Sequence, residues 1–409
     1  MLCGAVSTRL SFDPRMKKLA FIAALLLAAP FSQGSEVEPS NSERSDSDQF
    51  EFELPRALAW SAYNLGTTGY NQAVGISKML KDQHRVTLRV IPGKNDVSRL
   101  LPLMVNRVQF SANGVATYFA QEGAFQFASR RWGPVPIRLV MMSVGFSNQA
   151  IAVTEASGIK AVAGLRGKRV PFVRGAPALN VSTEAQLACG GLGWDDVQRI
   201  DFPGYSAMWN GMVDGQIDVA YATTVSGPTR KLEASPKGIH WLPIPHGDKE
   251  CWQRLLGVGP YFTKHMATRG AGISEENPHE GATYPYPMLV TLASQDPKLV
   301  RSLSAAIHEG FEDFRHADPG AEGWALARQQ FDWVVPFHEG AIDHFRSLGV
   351  WGLEQDAHND RLLQRQAVLQ EAWQAMLTLG IEQDDEFRET WMKVRAIRLR
   401  QQGFDPVWE

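Results

Sequence analysis

The chain has 409 residues, 44% of them hydrophobic and 21% charged, with a formal net charge of −3. Its length suits two domains of ordinary size. Loss of the leader described next, which carries Arg9, Arg15, Lys17 and Lys18 against Asp13, leaves a net charge of −6 and argues against nucleic acid or an anionic membrane as partner.

Met16-Lys17-Lys18 opens a positively charged segment, and Leu19 to Ala29 is an apolar core too short to span a bilayer but of signal-peptide length. Ser32 and Gly34 are small residues placed for a cut after Gly34. Residues 1–34 therefore read as a cleavable leader, starting at Met16, and the expected location is outside the cytoplasm. No cysteine beside the cut offers a lipid anchor. Residues 35–54 are rich in Ser, Glu and Asp, lack an apolar period, and read as a flexible tether. No later apolar stretch is long enough to cross a membrane. Cys189 and Cys251 remain in the exported chain and are either a pair or two separate buried thiols.

The strand-like run Ala57-Leu58-Ala59-Trp60 meets a polar loop, Asn64 to Tyr70, and a helical pattern follows through Ala73, Val74, Ile76, Met79 and Leu80. Glycines let this loop turn tightly, and Thr67 or Thr68 can cap the helix. A helix N-terminus presented in this way attracts carboxylates and other anions. Val86, Leu88 and Val90 alternate with polar residues as a strand that ends at Pro92-Gly93, and Asn95 or Asp96 caps a helix to about Asn106. Val108 to Phe110 leads to the loop Ser111–Gly114, then to a helix with Tyr118 and Phe119 and a strand from Ile137 to Met142. The alternation restarts at Gln149–Val153, with a strand at Arg169–Val173, the turn Arg174-Gly175-Ala176-Pro177 and a helix through Leu187. Val197–Asp201, Tyr205–Val213 and Ile217–Ala222 form a further strand–helix–strand unit.

This alternation predicts two α/β units, each a parallel sheet covered by helices, with a ligand cleft between their loops that closes by a hinge. The expected boundaries are 55–147 for lobe 1, 148–284 for lobe 2, and 353–409 for a helical C-terminal extension. The last third reads as helices from Asp296 to about Phe314, near Ala321–Gln330, and after Pro336-Phe337-His338-Glu339-Gly340. Two amphipathic patterns follow: Leu362, Leu369, Trp373 and Met376, then Phe387, Trp391, Val394 and Ile397, with Gly380 between them. These stripes either pack against the first lobe or meet a second copy or a permease, since Arg395, Arg398 and Arg400 would give the last helix a basic face.

Taken in order, several segments resemble the TAXI-type substrate-binding proteins of tripartite ATP-independent periplasmic (TRAP) transporters. NLGTTGYNQAVGISKML looks like that family's first loop and helix, and PGKNDVSRLLPLMVNRVQF like its second helix. GIKAVAGLRGKRV, GLGWDDV and MWNGMVDGQIDVAYATT look like its second lobe. EGATYPYPMLV looks like its returning strand and PFHEGAIDHFRSLGVW like its C-terminal helix. The resemblance covers roughly Leu58 to Trp351 and implies that 285–352 returns to lobe 1. It implies a two-lobed periplasmic binding protein of type II-like fold that captures a small organic anion, a carboxylate or amino acid, for a TRAP membrane permease. The chain departs from the family pattern at Thr67-Thr68, which replaces glycine, and at Arg174–Asn180, which replaces a Gly-Ser-Gly-Thr-like loop. It also lacks an acidic residue in SANGVATYFA.

The ligand is expected between Asn64–Tyr70 and Asn113–Tyr118 on one lobe, and Arg174–Asn180 and Tyr221–Ser226 on the other. Amides and hydroxyls at Thr67, Thr68 and Gly69 would hold one carboxylate, and Asn64, Tyr70, Asn113 and Tyr118 are further candidates on that lobe's side of the cleft. Arg174 is the first choice for a second anionic group because guanidinium pairs with carboxylate through two parallel bonds. Gly175, Ala178 and Asn180 share its loop. Tyr118, Tyr205, Tyr221 and Tyr284 could supply flat walls with one polar tip. Thr223, Thr224 and Ser226 could donate hydroxyls to the ligand or cap the next helix.

Enzyme chemistry has little to stand on. The ten histidines show no HExxH or similar metal spacing, and Gly-x-Ser-x-Gly, P-loop and CxxC motifs are absent. His338 and His344 do not share a helical face, and Cys189 sits beside Gly190-Gly191 without an obvious base. No metal, cofactor or catalytic residue is expected. A second reading keeps the binding fold but has it present its closed form to a membrane sensor kinase.

Overall fold

The computed structural model describes residues 52–409; the leader and all but the end of the tether lie outside the described residues. The chain runs through β1 (Ala57–Ala62), α1 (Thr68–His84), β2 (Thr87–Pro92), α2 (Asp96–Met104), β3 (Phe110–Asn113), α3 (Ala116–Glu122) and β4 (Ile137–Met142). Alternating apolar residues in β1 are buried, and α1 turns Ala73, Ile76, Met79 and Leu80 inward at helical spacing. Asn95 caps α2 by accepting from the Ser98 amide at 2.9 Å, while the Ser98 hydroxyl accepts from the Asn95 amide. These local signals place α1 and α2 where the sequence pattern put them.

The second lobe contains β5 (Gln149–Val153), β6 (Arg169–Val173), α4 (Pro177–Cys189), β7 (Gln198–Phe202), α5 (Tyr205–Asp214), β8 (Val219–Thr223), α6 (Gly227–Glu233), β9 (His240–Trp241), α7 (Lys249–Val258), β10 (Thr263–Ala267) and β11 (His279–Thr283). The chain then returns through β12 (Met288–Leu292) to α8 (Pro297–Glu309), α9 (Phe311–Phe314) and α10 (Glu339–Ser347). The first-lobe sheet has the order β2-β1-β3-β12-β4, with β1 parallel to β2 and β3, and β12 antiparallel to both neighbours. Because a strand from late in the sequence lies between β3 and β4, the chain passes between lobes twice, after β4 and before β12.

The expected parallel sheet in the second lobe does not form. Instead β8-β5-β9 is antiparallel, β6 and β7 make a separate parallel pair, and β10 and β11 form an antiparallel pair. Alternating strands and helices do not by themselves specify strand direction, and β5 enters this lobe directly from the crossing rather than through a helix. The helix expected near Ala321–Gln330 is also absent; two short 3₁₀ turns, Ala321–Trp324 and Leu326–Arg328, stand there. Side chains hold this stretch open: Gln329 accepts from the Met142 amide at 2.9 Å and donates to its carbonyl at 2.7 Å, and Arg328 donates to the Val144 carbonyl.

Cys189 and Cys251 form a disulfide that joins the end of α4 to α7 across 62 residues of sequence. In a chain-entropy account, a loop of that size contributes roughly 4 kcal/mol.

The two long helices α11 (Leu353–Leu377) and α12 (Asp384–Gln401) pair and pack on the first lobe. The Trp391 indole donates to the Gly123 carbonyl at 2.7 Å. Arg395 does not join Arg398 and Arg400 on a basic face. It is fully buried and shares the Glu122 carboxylate with Arg365. Burial alone would push the Glu122 carboxyl up, but the hydrogen bond from Arg365 and the charges of both arginines hold it below its ordinary value. Among the described residues, no helix is long and apolar enough to cross a membrane.

Three histidines, His279, His338 and His344, are buried, and desolvation lowers each to about 4. His338 caps α10, its Nδ1 accepting from the Gly340 amide at 3.2 Å. A histidine held neutral in the fold titrates at about 6.5 once unfolded. Its contribution is complete above that pH and is lost as pH falls through about 4. Thermal melts from pH 7.5 to 4 should therefore show Tm declining by several degrees or more below about pH 6.5, and a His344→Gln variant should lose part of that slope. A Tm flat down to pH 4 would contradict this.

Candidate functional site

β1, β2 and β3 end at one edge of the first-lobe sheet, and the loops that leave them face the ends of β6 and β8 in the second lobe. Between them lies a cavity of about 50 Å³, room for about three waters. Tyr63, Asn64 and Thr67 follow β1, the segment from Lys94 to Arg99 follows β2, and Gly114 follows β3. The second lobe contributes Gln149, Ala176, Ala178, Leu179, Tyr205 and Tyr221 to Thr223, and the returning crossing contributes Tyr284 and Tyr286.

Asp96 and Arg99 are the charged centre. They are three residues apart on the first turn of α2, so their side chains share a face, and they form a buried ion pair. The second carboxylate oxygen of Asp96 crosses the cavity and accepts from the Ala178 amide at 2.8 Å, in the first turn of α4. An acid at that position is favoured by the amides and dipole of the helix start. Burial pushes the Asp96 carboxyl up, and the Arg99 charge and the Ala178 amide oppose the shift. Arg99 is fixed on its other side by Asn113, to which its Nε donates at 3.1 Å, and its guanidinium lies 4.0 Å over the Tyr63 ring.

Other bonds seat the lobes on each other here. The Val97 amide donates to the Gly175 carbonyl at 3.2 Å, the Tyr205 amide to the Lys94 carbonyl at 3.3 Å, and Asn95 Nδ2 to the Arg174 carbonyl at 3.0 Å. A Cβ at Gly227 would stand 2.2 Å from the Gly66 carbonyl oxygen, so the two lobes approach backbone to backbone at that point. Gly69 is equally constrained, since a Cβ there would fall 2.4 Å from the Tyr63 ring.

Five tyrosines line the cavity, and burial pushes every one of their phenols up, Tyr284 to about 12. They remain neutral hydrogen-bond donors over the whole physiological range. Tyr205 donates to Ser226 Oγ at 2.9 Å. The Tyr63 and Tyr221 hydroxyls are buried and make no hydrogen bond of ordinary length among the described residues; the Tyr286 phenol faces the first, and Ser182 and the Tyr284 phenol face the second.

Of the residues expected at the site, the structure brings Asn64, Thr67, Ala178, Tyr221 and Thr223 to the cavity wall, together with Tyr205 and Tyr284. Asn113 stands behind Arg99 as its hydrogen-bond partner. The others lie elsewhere. Thr68 donates to Asp318, Gly69 is the contact point for Tyr63, and half-buried Tyr70 packs against the core. Tyr118 meets Trp408 at a tilt, with ring centroids 4.9 Å apart. Arg174 is exposed and is not part of the wall; only its carbonyl takes part in the lobe contact. Gly175 also serves through its carbonyl. Asn180 holds the Val173 amide and carbonyl at 2.8 and 3.0 Å, Thr224 accepts from the Asn148 amide and donates to the Arg269 carbonyl, and Ser226 accepts from Tyr205. Sequence reasoning missed Asp96, Arg99, Tyr63 and Tyr286. A usable signal was present for the first two, a Pro-Gly turn followed by an acid and an arginine one turn apart at the start of an otherwise apolar helix.

Among the described residues, no group of three or more His, Cys, Asp or Glu side chains is placed to hold a metal ion. Cys189 is committed to its disulfide.

The two crossings, the mixed five-stranded sheet and the cavity between lobes define a mixed α/β, two-lobed fold with a helical C-terminal stretch. The chain belongs to the NMT1-like family, whose profile matches residues 64–349, from the first cavity loop to the end of α10. Among solved structures, the chain is 14% identical to the alkanesulfonate-binding protein SsuA from Xanthomonas axonopodis pv. citri bound to MOPS, over 73% of this chain and 96% of that one, with a TM-score of 0.41. It is 14% identical to the periplasmic aliphatic sulphonate binding protein SsuA from Escherichia coli, over 73% and 89%, with a TM-score of 0.39. It is 10% identical to an amino acid ABC transporter substrate-binding protein from Streptococcus pneumoniae bound to L-arginine, over 65% and 93%, with a TM-score of 0.39. No curated protein matches the chain.

An unpartnered buried hydroxyl costs free energy that a phenyl ring does not. Tyr221→Phe should therefore leave Tm unchanged or raise stability by up to about 1 kcal/mol in the absence of added solute. A loss of more than about 1 kcal/mol in melts of that variant would show that the hydroxyl is bonded and structural.

Proposed function

We propose that this protein is a periplasmic solute-binding protein that takes a small organic anion, a carboxylate or amino acid, between its lobes and hands it to the membrane permease of a TRAP transporter. The observation that carries this reading is the inter-lobe cavity itself. It combines a buried guanidinium, two buried phenol hydroxyls without a hydrogen bond of ordinary length and aromatic walls, with residues from both lobes.

Arg99 would take the acidic group of the ligand, and Tyr63 and Tyr221 would donate their free hydroxyls to its oxygens. Asp96 is placed to receive an ammonium if the ligand carries one. Asn64, Thr67 and Thr223 would set its polar contacts, and the Tyr205, Tyr284 and Tyr286 rings its width. Removing water from such a site strengthens each charged contact. Because the two lobes share the lining, the ligand favours the arrangement in which they meet. The TAXI-type assignment and the TRAP permease rest on the ordered segments from NLGTTGYNQAVGISKML to PFHEGAIDHFRSLGVW. The proposed periplasmic location draws on the leader-like residues 1–34 and is supported by the Cys189–Cys251 disulfide, a bond favoured in oxidising compartments.

A thermal-shift screen of residues 35–409 against amino acids, monocarboxylates, dicarboxylates and keto acids tests this reading. A true ligand at about a hundred times its Kd should stabilise the protein by roughly 2.7 kcal/mol, a rise of several degrees. Its affinity should fall roughly five- to tenfold in Tyr221→Phe, the loss of one hydrogen bond. A panel without a hit, or a hit indifferent to Tyr221→Phe, would count against this assignment.

A further inference from the structure

Beyond the cavity, the segment after α12 joins the lobes a second time. The Trp408 ring is packed among Tyr118, Phe119 and Phe125 of the first lobe, with centroids 4.9 to 5.1 Å away. Its indole N–H points the other way and donates to the Val258 carbonyl at 3.1 Å. That carbonyl is in the last turn of α7 in the second lobe, one of the four that a helix leaves without an internal partner. One side chain therefore fills an apolar pocket on one lobe and caps a helix on the other.

The backbone around Trp408 is held with unusual thoroughness. Buried Arg395 donates to the Trp408 carbonyl at 2.7 Å, and Arg365 donates to the Asp405 carbonyl at 2.7 Å. Both arginines pair with the one carboxylate of Glu122 at the end of α3. Val407 adopts φ 63°, the left-handed region that a β-branched residue rarely enters, and its amide is fixed by Asp405 Oδ1 at 2.8 Å. A contact line leads from here to the cavity. Phe119 meets Tyr261 at 5.9 Å, Tyr261 meets Tyr284 at 5.4 Å, and Tyr284 is part of the cavity wall.

We propose that the segment after α12 is an inter-lobe strap in which Trp408 ties α7 of the second lobe to α3 of the first, limiting how far the cavity opens. Two buried arginines and a left-handed valine are more than is needed to cover an apolar patch on one lobe. The arrangement fits a residue that must be presented at a fixed height to a neighbour that moves. The strap does not depend on which solute the cavity takes.

Small-angle scattering of the exported chain, residues 35–409, without added solute, tests this on wild type, Trp408→Ala and Trp408→Phe. Trp408→Ala loses both the ring and the N–H, and its radius of gyration should exceed that of the wild type. Trp408→Phe keeps an aromatic ring but loses the donor, and should show a smaller expansion in the same direction. A folded Trp408→Ala with lower Tm and an unchanged scattering curve would overturn the strap and leave Trp408 as packing alone. If Trp408→Ala does not fold, Trp408→Phe decides: expansion supports the strap and a wild-type curve overturns it. Because no solute is present, failure here leaves the solute-binding reading untouched.

Discussion

Everything at the centre of the molecule depends on how a buried carboxylate, Asp96, is kept satisfied. An isolated buried charge is too costly to persist, and a buried pair survives only if its remaining oxygens and donors also find partners. Asp96 meets that condition with one oxygen on Arg99 and the other on the Ala178 amide of the opposite lobe. Arg99 meets it through Asn113 and the Tyr63 ring. The pairing therefore fixes more than two side chains. It sets where the start of α2 lies against the start of α4, and with it the distance between the lobes at the cavity.

From that constraint the rest of the site follows. With α2 seated on α4, the ends of β1 and β3 are brought opposite β6 and β8, and the backbone of Gly66 meets Gly227 with no space for a side chain. The tyrosines fill what remains, and burial keeps them neutral, so they can offer hydrogen bonds without adding charge. A cavity with one balanced ion pair and several neutral donors is suited to a small ligand whose own charge enters a competition already under way between Asp96 and Arg99. The C-terminal helices repeat the same physical solution on a larger scale, with Glu122 accepting from two arginines at once where α3 meets α11 and α12.

Much of the fold was legible because local chemistry and periodicity agree with it. The Asn95-Ser98 capping pair, the Pro-Gly end of β2, and the three- and four-residue spacing in α1 and α12 each specify an element without reference to the rest of the chain. The four loops expected to surround the ligand each place at least one residue on the wall of the inter-lobe cavity. The individual contacts were less legible. Arg174 looked suitable because guanidinium suits carboxylate, but a residue's type at a strand end does not reveal which way its side chain leaves the turn. Arg99 was hidden inside a helix that reads as ordinary packing, and only the meeting of two lobes sets it in a cavity wall. Strand direction in the second lobe and the open course of 321–330 are likewise tertiary outcomes. The first follows the crossing that delivers β5, and the second follows the Gln329 and Arg328 bonds to the end of β4. The buried role of Arg395 could not be seen while its partner Glu122 lay more than two hundred residues away in sequence.

The most direct test of this account is the crystal structure of the protein with the organic acid that stabilises it most. The account predicts that the acid lies between the lobes, with its anionic oxygens on Arg99 and within hydrogen-bond reach of the Tyr63 and Tyr221 hydroxyls. An acid bound outside that cavity, or inside it with both hydroxyls still unpartnered, would contradict it.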